Sequence, residues 1–284
     1  VLKFAAAYNE KMIRFKQLKG YPLSLGITDR TGGVSQGVYG GMNTNFYNET
    51  QFETACKDVK IAIEDLGLTG KIIIATRQTH SNHILKIDEN TDFESLEQIE
   101  VKGTALSEYK LYSSPDTDAL MTQRKDVILM TFYADCVPLY IYDPINEAIA
   151  IIHSGWRGTS NKIADDVIKE MKYHYQSEAK NFLAGIGQSA GKCCYEVDEP
   201  VKILFKAYFS EREMMHFFES KGSGKYFIDL KKANELIFLE NGLQSDRIEI
   251  NPACTICESD LYHSHRKANG GKRGSMSQLC QLIK

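Results

Sequence analysis

The chain of 284 residues carries 25% charged, 10% aromatic and 43% hydrophobic side chains, a globular profile that excludes whole-chain disorder, collagen and low-complexity structure. Its 34 basic and 37 acidic side chains leave a formal net charge of −3, so no global basic field exists to hold nucleic acid or an anionic membrane surface. The best apolar run, 127–134, is closed by Asp135 and falls well short of the about 20 apolar residues that a membrane span needs. Near the N-terminus, Lys3 precedes an apolar patch at 4–8 that is too short for a signal-peptide core. Seven cysteines are an odd count in a chain too large to need a disulfide scaffold, which predicts reduced thiols and a cytoplasmic setting. No fixed-period repeat and no Pro- or Ser-rich linker interrupts the chain, so one compact unit over 1–284 is expected.

In chain order, 23–28 reads as a short apolar strand that leads into a loop, 29–41, with five glycines. Phe52, Ala55, Val59, Ala62, Ile63 and Leu66 repeat at helical spacing over 51–66, and Gly67 follows as a stop. The β-branched run 71–76 predicts a strand that delivers Arg77-Gln78-Thr79-His80. The stretches 127–134 and 148–152 are continuously apolar, as strands covered on both faces of a layered α/β structure are. Helical spacing returns at 163–171, a short strand is expected at 182–186, and 200–209 and 230–239 read as helices. The tail, 254–284, is polar and contains glycines, and it shows no clear period.

Buried strands end where rigid backbone can aim side chains into a crevice. Three such ends present His80, Cys136 and His153. Imidazole and thiolate are preferred zinc ligands, and three of them leave a tetrahedral corner open, as catalytic zinc requires. Their spacing matches no short zinc pattern, so a small buried thiol and hydrogen-bonded histidines remain the alternative. Cys254-x-x-Cys257 followed by His263 and His265 is a second candidate, for a closed structural zinc site. Adjacent Cys193 and Cys194 rarely form a relaxed disulfide and read as structural.

Four strings occur in order: Thr117-Asp118-Ala119-Leu120, Ala134-Asp135-Cys136-Val137-Pro138, His153-Ser154-Gly155-Trp156-Arg157-Gly158 and Cys193-Cys194-Tyr195-Glu196-Val197. With Arg30-Thr31-Gly32-Gly33-Val34-Ser35, Gln78-Thr79-His80, Ile228-Asp229-Leu230 and Cys254-Thr255, they resemble the multicopper polyphenol oxidoreductase or laccase-domain family, later described as purine nucleoside phosphorylases. The resemblance runs from about residue 30 to about residue 276. It implies an α+β fold, a four-layer α/β/β/α sandwich. It implies Zn2+ held by His80, Cys136 and His153, with Cu2+ as the alternative ion. It also implies phosphorolysis of adenosine, inosine and methylthioadenosine, and adenosine deamination as a further activity. The chain departs from the family pattern at Ser81 where Gly is usual, at Gln188 where Pro is usual, in the tail string Tyr262-His263-Ser264-His265-Arg266-Lys267 where FFSYRR is usual, and at Ser275 where a late Arg is usual, with Arg273 close by.

An open zinc site polarises oxygens and lowers the pKa of bound water, and Asp135 beside the Cys ligand is a candidate proton shuttle or, equally, a residue that supports the site or its turn. Phosphorolysis needs fixed donors for phosphate, for which Arg157 is the first candidate and Arg30 and Arg266 are the next. Ser35 and backbone N–H groups of the glycine loop could cradle an anion. Gln78 adjoins the first histidine, and Trp156 could stack on a purine or anchor the core. The expected partners are a purine nucleoside and phosphate, with no nucleic acid and no membrane, and the chain is read as a monomer or homodimer. Besides a regulatory or scaffold protein that uses the metal only for stability, two other catalytic readings compete. One is a metal-free thiol hydrolase or amidase with Cys136 as nucleophile. The other is a copper-dependent polyphenol oxidoreductase, which seven dispersed histidines supply poorly.

Overall fold

The structure, a computed structural model, describes residues 12–283, so the apolar patch at 4–8 lies outside the described residues. Strand Val127–Tyr133 shows how the layers arise. Val127, Leu129 and Tyr133 point to one apolar core, and Ile128 and Met130 point to another on the opposite face. Strand Ala148–Ser154 divides in the same way, with Ile149 and Ile151 in the shared core and Ala148, Ala150 and Ile152 facing the far side. Side chains alternate along a strand, so a strand apolar at every position must be covered twice.

Two sheets meet at the shared core. The first has seven strands and includes Leu23–Thr28, Met276–Leu282, Val127–Tyr133 and Ile72–Arg77 as neighbours in that order. The second has six and includes Leu183–Ile186, Val137–Asp143, Ala148–Ser154 and Ala119–Thr122 in that order. Helix Phe52–Leu66 covers the outer face of the first through Ala55, Val59, Ala62 and Ile63, and ends on Gly67 at φ 64°. Helices Ile163–Tyr175 and Leu230–Glu240 cover the second. The result is a single compact α+β domain with the expected α/β/β/α order of layers.

Two expectations need correction. The helix read over 200–209 spans Glu199–Phe205, and its last residues form turns. The tail contains a wholly buried strand, Met276–Leu282, between two core strands of the first sheet. Its polarity concealed it, because a polar side chain such as Gln281 finds its partners inside. Gln281 accepts from the N–H groups of Thr69 and Gly70 at 2.8 and 3.0 Å and donates to the Lys125 carbonyl at 2.7 Å.

Candidate metal centre

His80, Cys136 and His153 reach one point from three different pieces of the sandwich. His80 follows strand Ile72–Arg77 of the first sheet, and His153 ends strand Ala148–Ser154 of the second. Cys136 lies in the short link by which the chain passes from Val127–Tyr133 to Val137–Asp143, from one sheet to the other. Their ligand atoms lie within 4.8 Å of one another. Gly155 makes room for them, since a Cβ there would stand 2.7 Å from His80 Nδ1 and 3.0 Å from Cys136 Sγ.

A residue given no role from sequence organises this cluster. Asp118, from the Thr117-Asp118-Ala119-Leu120 string, is fully buried, and its Oδ1 takes a hydrogen bond from His153 Nδ1 at 2.7 Å. A carboxylate only accepts, so Nδ1 carries the proton that faces Asp118, and Nε2 is the nitrogen left for a metal to claim. Asp118 also accepts from the backbone N–H groups of Thr79, His80 and Ser81 at 3.2, 3.2 and 2.8 Å. Those bonds hold the turn in which His80 adopts a left-handed φ of 64°, a strained state for a side chain of that size. Ser81, the departure from the family pattern, adds a bond from its Oγ to Asp118 Oδ2 at 3.0 Å.

Electrostatics favours a cation here. Burial, then the neighbouring His153, pulls His80 down to about 4, so its imidazole is neutral. Burial also acts to lower His153, but Cys136 and Asp118 outweigh it and hold this imidazole up at about 9. Burial would raise Asp118, yet the bond and charge of His153 and the N–H groups of Ser81 and Thr79 hold it below the usual carboxylate range. His80 Nδ1 is buried and has no hydrogen-bond partner. Two imidazoles, one thiol and an orphaned buried nitrogen therefore fit a zinc ion. Apart from this triad, the clusters of three or more ligand-type side chains among the described residues comprise one of four cysteines, Cys193, Cys194, Cys254 and Cys257. The pairing of Cys254 and Cys257 with His263 and His265 does not form: His263 Nε2 bonds the Met42 carbonyl at 3.0 Å, and His265 lines a hollow beside the triad.

Two hollows meet at the triad. One, of about 470 Å³, is walled by Tyr47, Gln78, Phe132 and Ser275. The other, of about 380 Å³, is walled by Trp156, Arg157, Tyr195, His265 and Arg266. His80, Cys136 and Arg273 line both. Asp135, also at the second hollow, has φ 92°, and both its oxygens are engaged. Oδ1 accepts from Thr255 Oγ1 and Oδ2 from the Arg266 N–H, each at 2.6 Å. Arg157 stands over the Trp156 ring at 4.1 Å, and Arg266 over the Tyr195 ring at 4.8 Å. Gln78 is occupied with the backbone of Phe132, donating to its carbonyl at 2.8 Å and accepting from its N–H at 2.9 Å.

Arg30 and Ser35 are placed elsewhere. Arg30 donates to the Gly40 and Ser259 carbonyls, and neither residue lines the two hollows. The glycine loop already holds an anion of its own. Asp58, from helix Phe52–Leu66, accepts from the Val34 N–H, Ser35 Oγ and the Asn43 N–H at 2.7, 2.7 and 2.9 Å. The phosphate-cradle reading of that loop is thus replaced by a turn anchored on a helix. Arg273, Tyr195 and Phe132 were missed as lining residues, although Tyr195 sits in a quoted string and Arg273 stands two residues before Ser275.

The sequence model of the family described as multi-copper polyphenol oxidoreductase laccase matches residues 24–283. The chain belongs to that family. Among relatives of this laccase-domain chain, a protein of Bacillus subtilis named purine nucleoside phosphorylase YlmD is 30% identical over 251 residues, covering 88% of this chain and 85% of the relative. A purine nucleoside phosphorylase of Bacteroides thetaiotaomicron is 28% identical over 260 residues, covering 91% and 92%. The laccase-domain fold recurs in the crystal structure of the hypothetical protein YfiH of Bacillus licheniformis, with a TM-score of 0.82 at 27% identity and 96% of each chain covered. It recurs also in YlmD of Geobacillus stearothermophilus, with a TM-score of 0.83 and 98% of each chain covered. No helix among the described residues is long and apolar enough to cross a membrane.

Proposed function

We propose that this protein is a zinc-dependent purine nucleoside phosphorylase that splits adenosine, inosine or methylthioadenosine with phosphate into base and pentose 1-phosphate. The observation that carries the reading is the position of the triad between an aromatic hollow and an arginine-lined one. The names of the relatives support it. Bound zinc would be held by His80, Cys136 and His153 and would supply a Lewis acid against a substrate oxygen.

The chain's own residues divide the remaining work. Tyr47 and Phe132 offer ring faces to a purine in the larger hollow. Arg157, Arg266 and Arg273 offer planar donors to phosphate in the smaller one. A phosphate oxygen forms its bond to the anomeric carbon as the glycosidic C–N bond breaks. That electron pair leaves with the purine, which then takes up a proton. Asp135 acts through Arg266, whose backbone it holds, so we assign it a positioning role in place of a proton shuttle. Gln78 similarly fixes Phe132. Zinc suits the donor set better than a multi-copper arrangement, because the described residues show a four-cysteine cluster in place of further histidine clusters.

Zinc-loaded protein with each nucleoside should release free base only when phosphate is present, and Cys136→Ala should abolish the release. No phosphate-dependent release from any of the three would overturn the reading. A second reading rests on the contact between Cys136 and the raised His153, the pairing of a thiol nucleophile with its base. Activity that survives chelation but is lost on alkylation would favour it.

A further inference from the structure

The four cysteines 193, 194, 254 and 257 take no part in the triad's chemistry. We propose that they form a second metal site, a closed structural site for a thiophilic divalent cation such as Zn2+. All four sulfurs lie within 4.8 Å of one another, with Cys193 Sγ and Cys194 Sγ at 3.4 and 3.1 Å from Cys257 Sγ. At a Zn–S bond of about 2.3 Å, tetrahedral geometry sets the sulfurs about 3.8 Å apart, so the cluster brackets the size that the ion needs. None of the four is in a disulfide.

The surroundings fit a thiolate cage. The Gly191 N–H points at Cys254 Sγ at 3.2 Å, and a backbone N–H aimed at a metal thiolate is the outer support such ligands use. A Cβ on Gly191 would stand tight against Cys193 Sγ at 3.2 Å and Cys254 Sγ at 3.3 Å, so a bare glycine lets its N–H approach without displacing either sulfur. Lys231 is buried, which pulls its pKa down against the charges of Asp229, Cys254 and Cys193, and it donates to the Asn251 and Ala253 carbonyls at 3.2 and 2.8 Å. A buried cation beside this cage offsets the net negative charge of a divalent ion bound by four thiolates.

The site has structural work to do. Residues 251–275 run without helix or strand, a length that compact domains rarely leave unsupported. This stretch carries His265, Arg266 and Arg273, while 191–195 carries Tyr195, and together they form one wall of the arginine-lined hollow; Thr255 bonds Asp135, which also lines it. The two segments also meet through the Gly191–Cys254 bond and the Arg266–Tyr195 contact, and the Ser189–Cys254 bridge lies just before them. Four ligands, two from each segment, would clamp them and leave no corner open for substrate.

The test is metal content of protein purified anaerobically without chelator, supplied with Zn2+ alone. Cys136→Ala should still hold about one zinc per chain, and Cys257→Ser combined with Cys136→Ala should hold none. Should the combined variant not fold, Co2+ loaded into Cys136→Ala should still give intense thiolate-to-cobalt charge-transfer absorption. Cys136→Ala that binds neither ion overturns the proposal, as does a disulfide from Cys257 to Cys193 or Cys194 mapped in the freshly purified protein. The readout is independent of nucleoside turnover, so loss of either assignment leaves the other standing.

Discussion

Asp118→Asn isolates what the buried carboxylate does for the metal centre. The change keeps the side chain's shape and removes its charge. Asp118 Oδ1 serves His80 N and His153 Nδ1, and Oδ2 serves the N–H groups of Thr79 and Ser81 and the Ser81 hydroxyl. An asparagine has one acceptor oxygen, so in either orientation its NH2 group must face at least two N–H donors. Hydrogen bonds to a charged group contribute about 1.5–3 kcal/mol each, so loss of two should destabilise the metal-free fold by roughly 3–6 kcal/mol, less whatever the turn at His80 recovers by relaxing. With the amide toward His153, the imidazole must change tautomer and offer the wrong nitrogen. Loss of such an outer partner lowers metal affinity by about 10–100-fold, or about 1.4–2.7 kcal/mol. Competition with a chromophoric chelator measures the affinity, and denaturant unfolding of the stripped protein measures the stability. An Asp118→Asn protein that binds Zn2+ as tightly as wild type and unfolds at the same denaturant midpoint would refute the positioning role.

Three further outcomes are expected. Gly155→Ala places a methyl group against His80 Nδ1 and Cys136 Sγ, so zinc uptake at the triad should fall by at least about tenfold, as read by metal content after dialysis. Arg273→Met, at the junction of the hollows, should raise KM for phosphate more than it lowers kcat in the base-release assay; an equal fall in both phosphate and nucleoside affinity would count against a phosphate role. Gln281→Leu removes the acceptor of the Thr69 and Gly70 N–H groups and the donor to the Lys125 carbonyl, and should cost about 3 kcal/mol by urea unfolding with kinetics at saturating substrate unchanged.

The layers were legible because strands such as Val127–Tyr133 and Ala148–Ser154 are apolar at nearly every position, and only coverage on both faces accounts for that. The convergence of His80, Cys136 and His153 was legible because each stands at, or just past, the end of such a strand. Asp118 was quoted but given no role, since the function of a buried carboxylate lies in the five groups it accepts from, and all but one of those belong to the distant 79–81 turn. The strand Met276–Leu282 was hidden because Ser277, Gln278 and Gln281 are polar in a buried strand, and composition cannot reveal the partners that Gln281 meets there. The four-cysteine cluster was half visible: Cys254-x-x-Cys257 marked one side, but only the pairing of Ser189 with Cys254 brings Cys193 and Cys194 to the other.

The guanidinium of Arg157 resting on the indole of Trp156 has a practical consequence. Trp156 is the only tryptophan in the chain, so its emission reports this one spot without any label. An oxyanion that draws Arg157 off the ring exposes the fluorophore to a new environment, and the protein carries its own optical gauge of ligand arrival, readable by titration before any turnover begins.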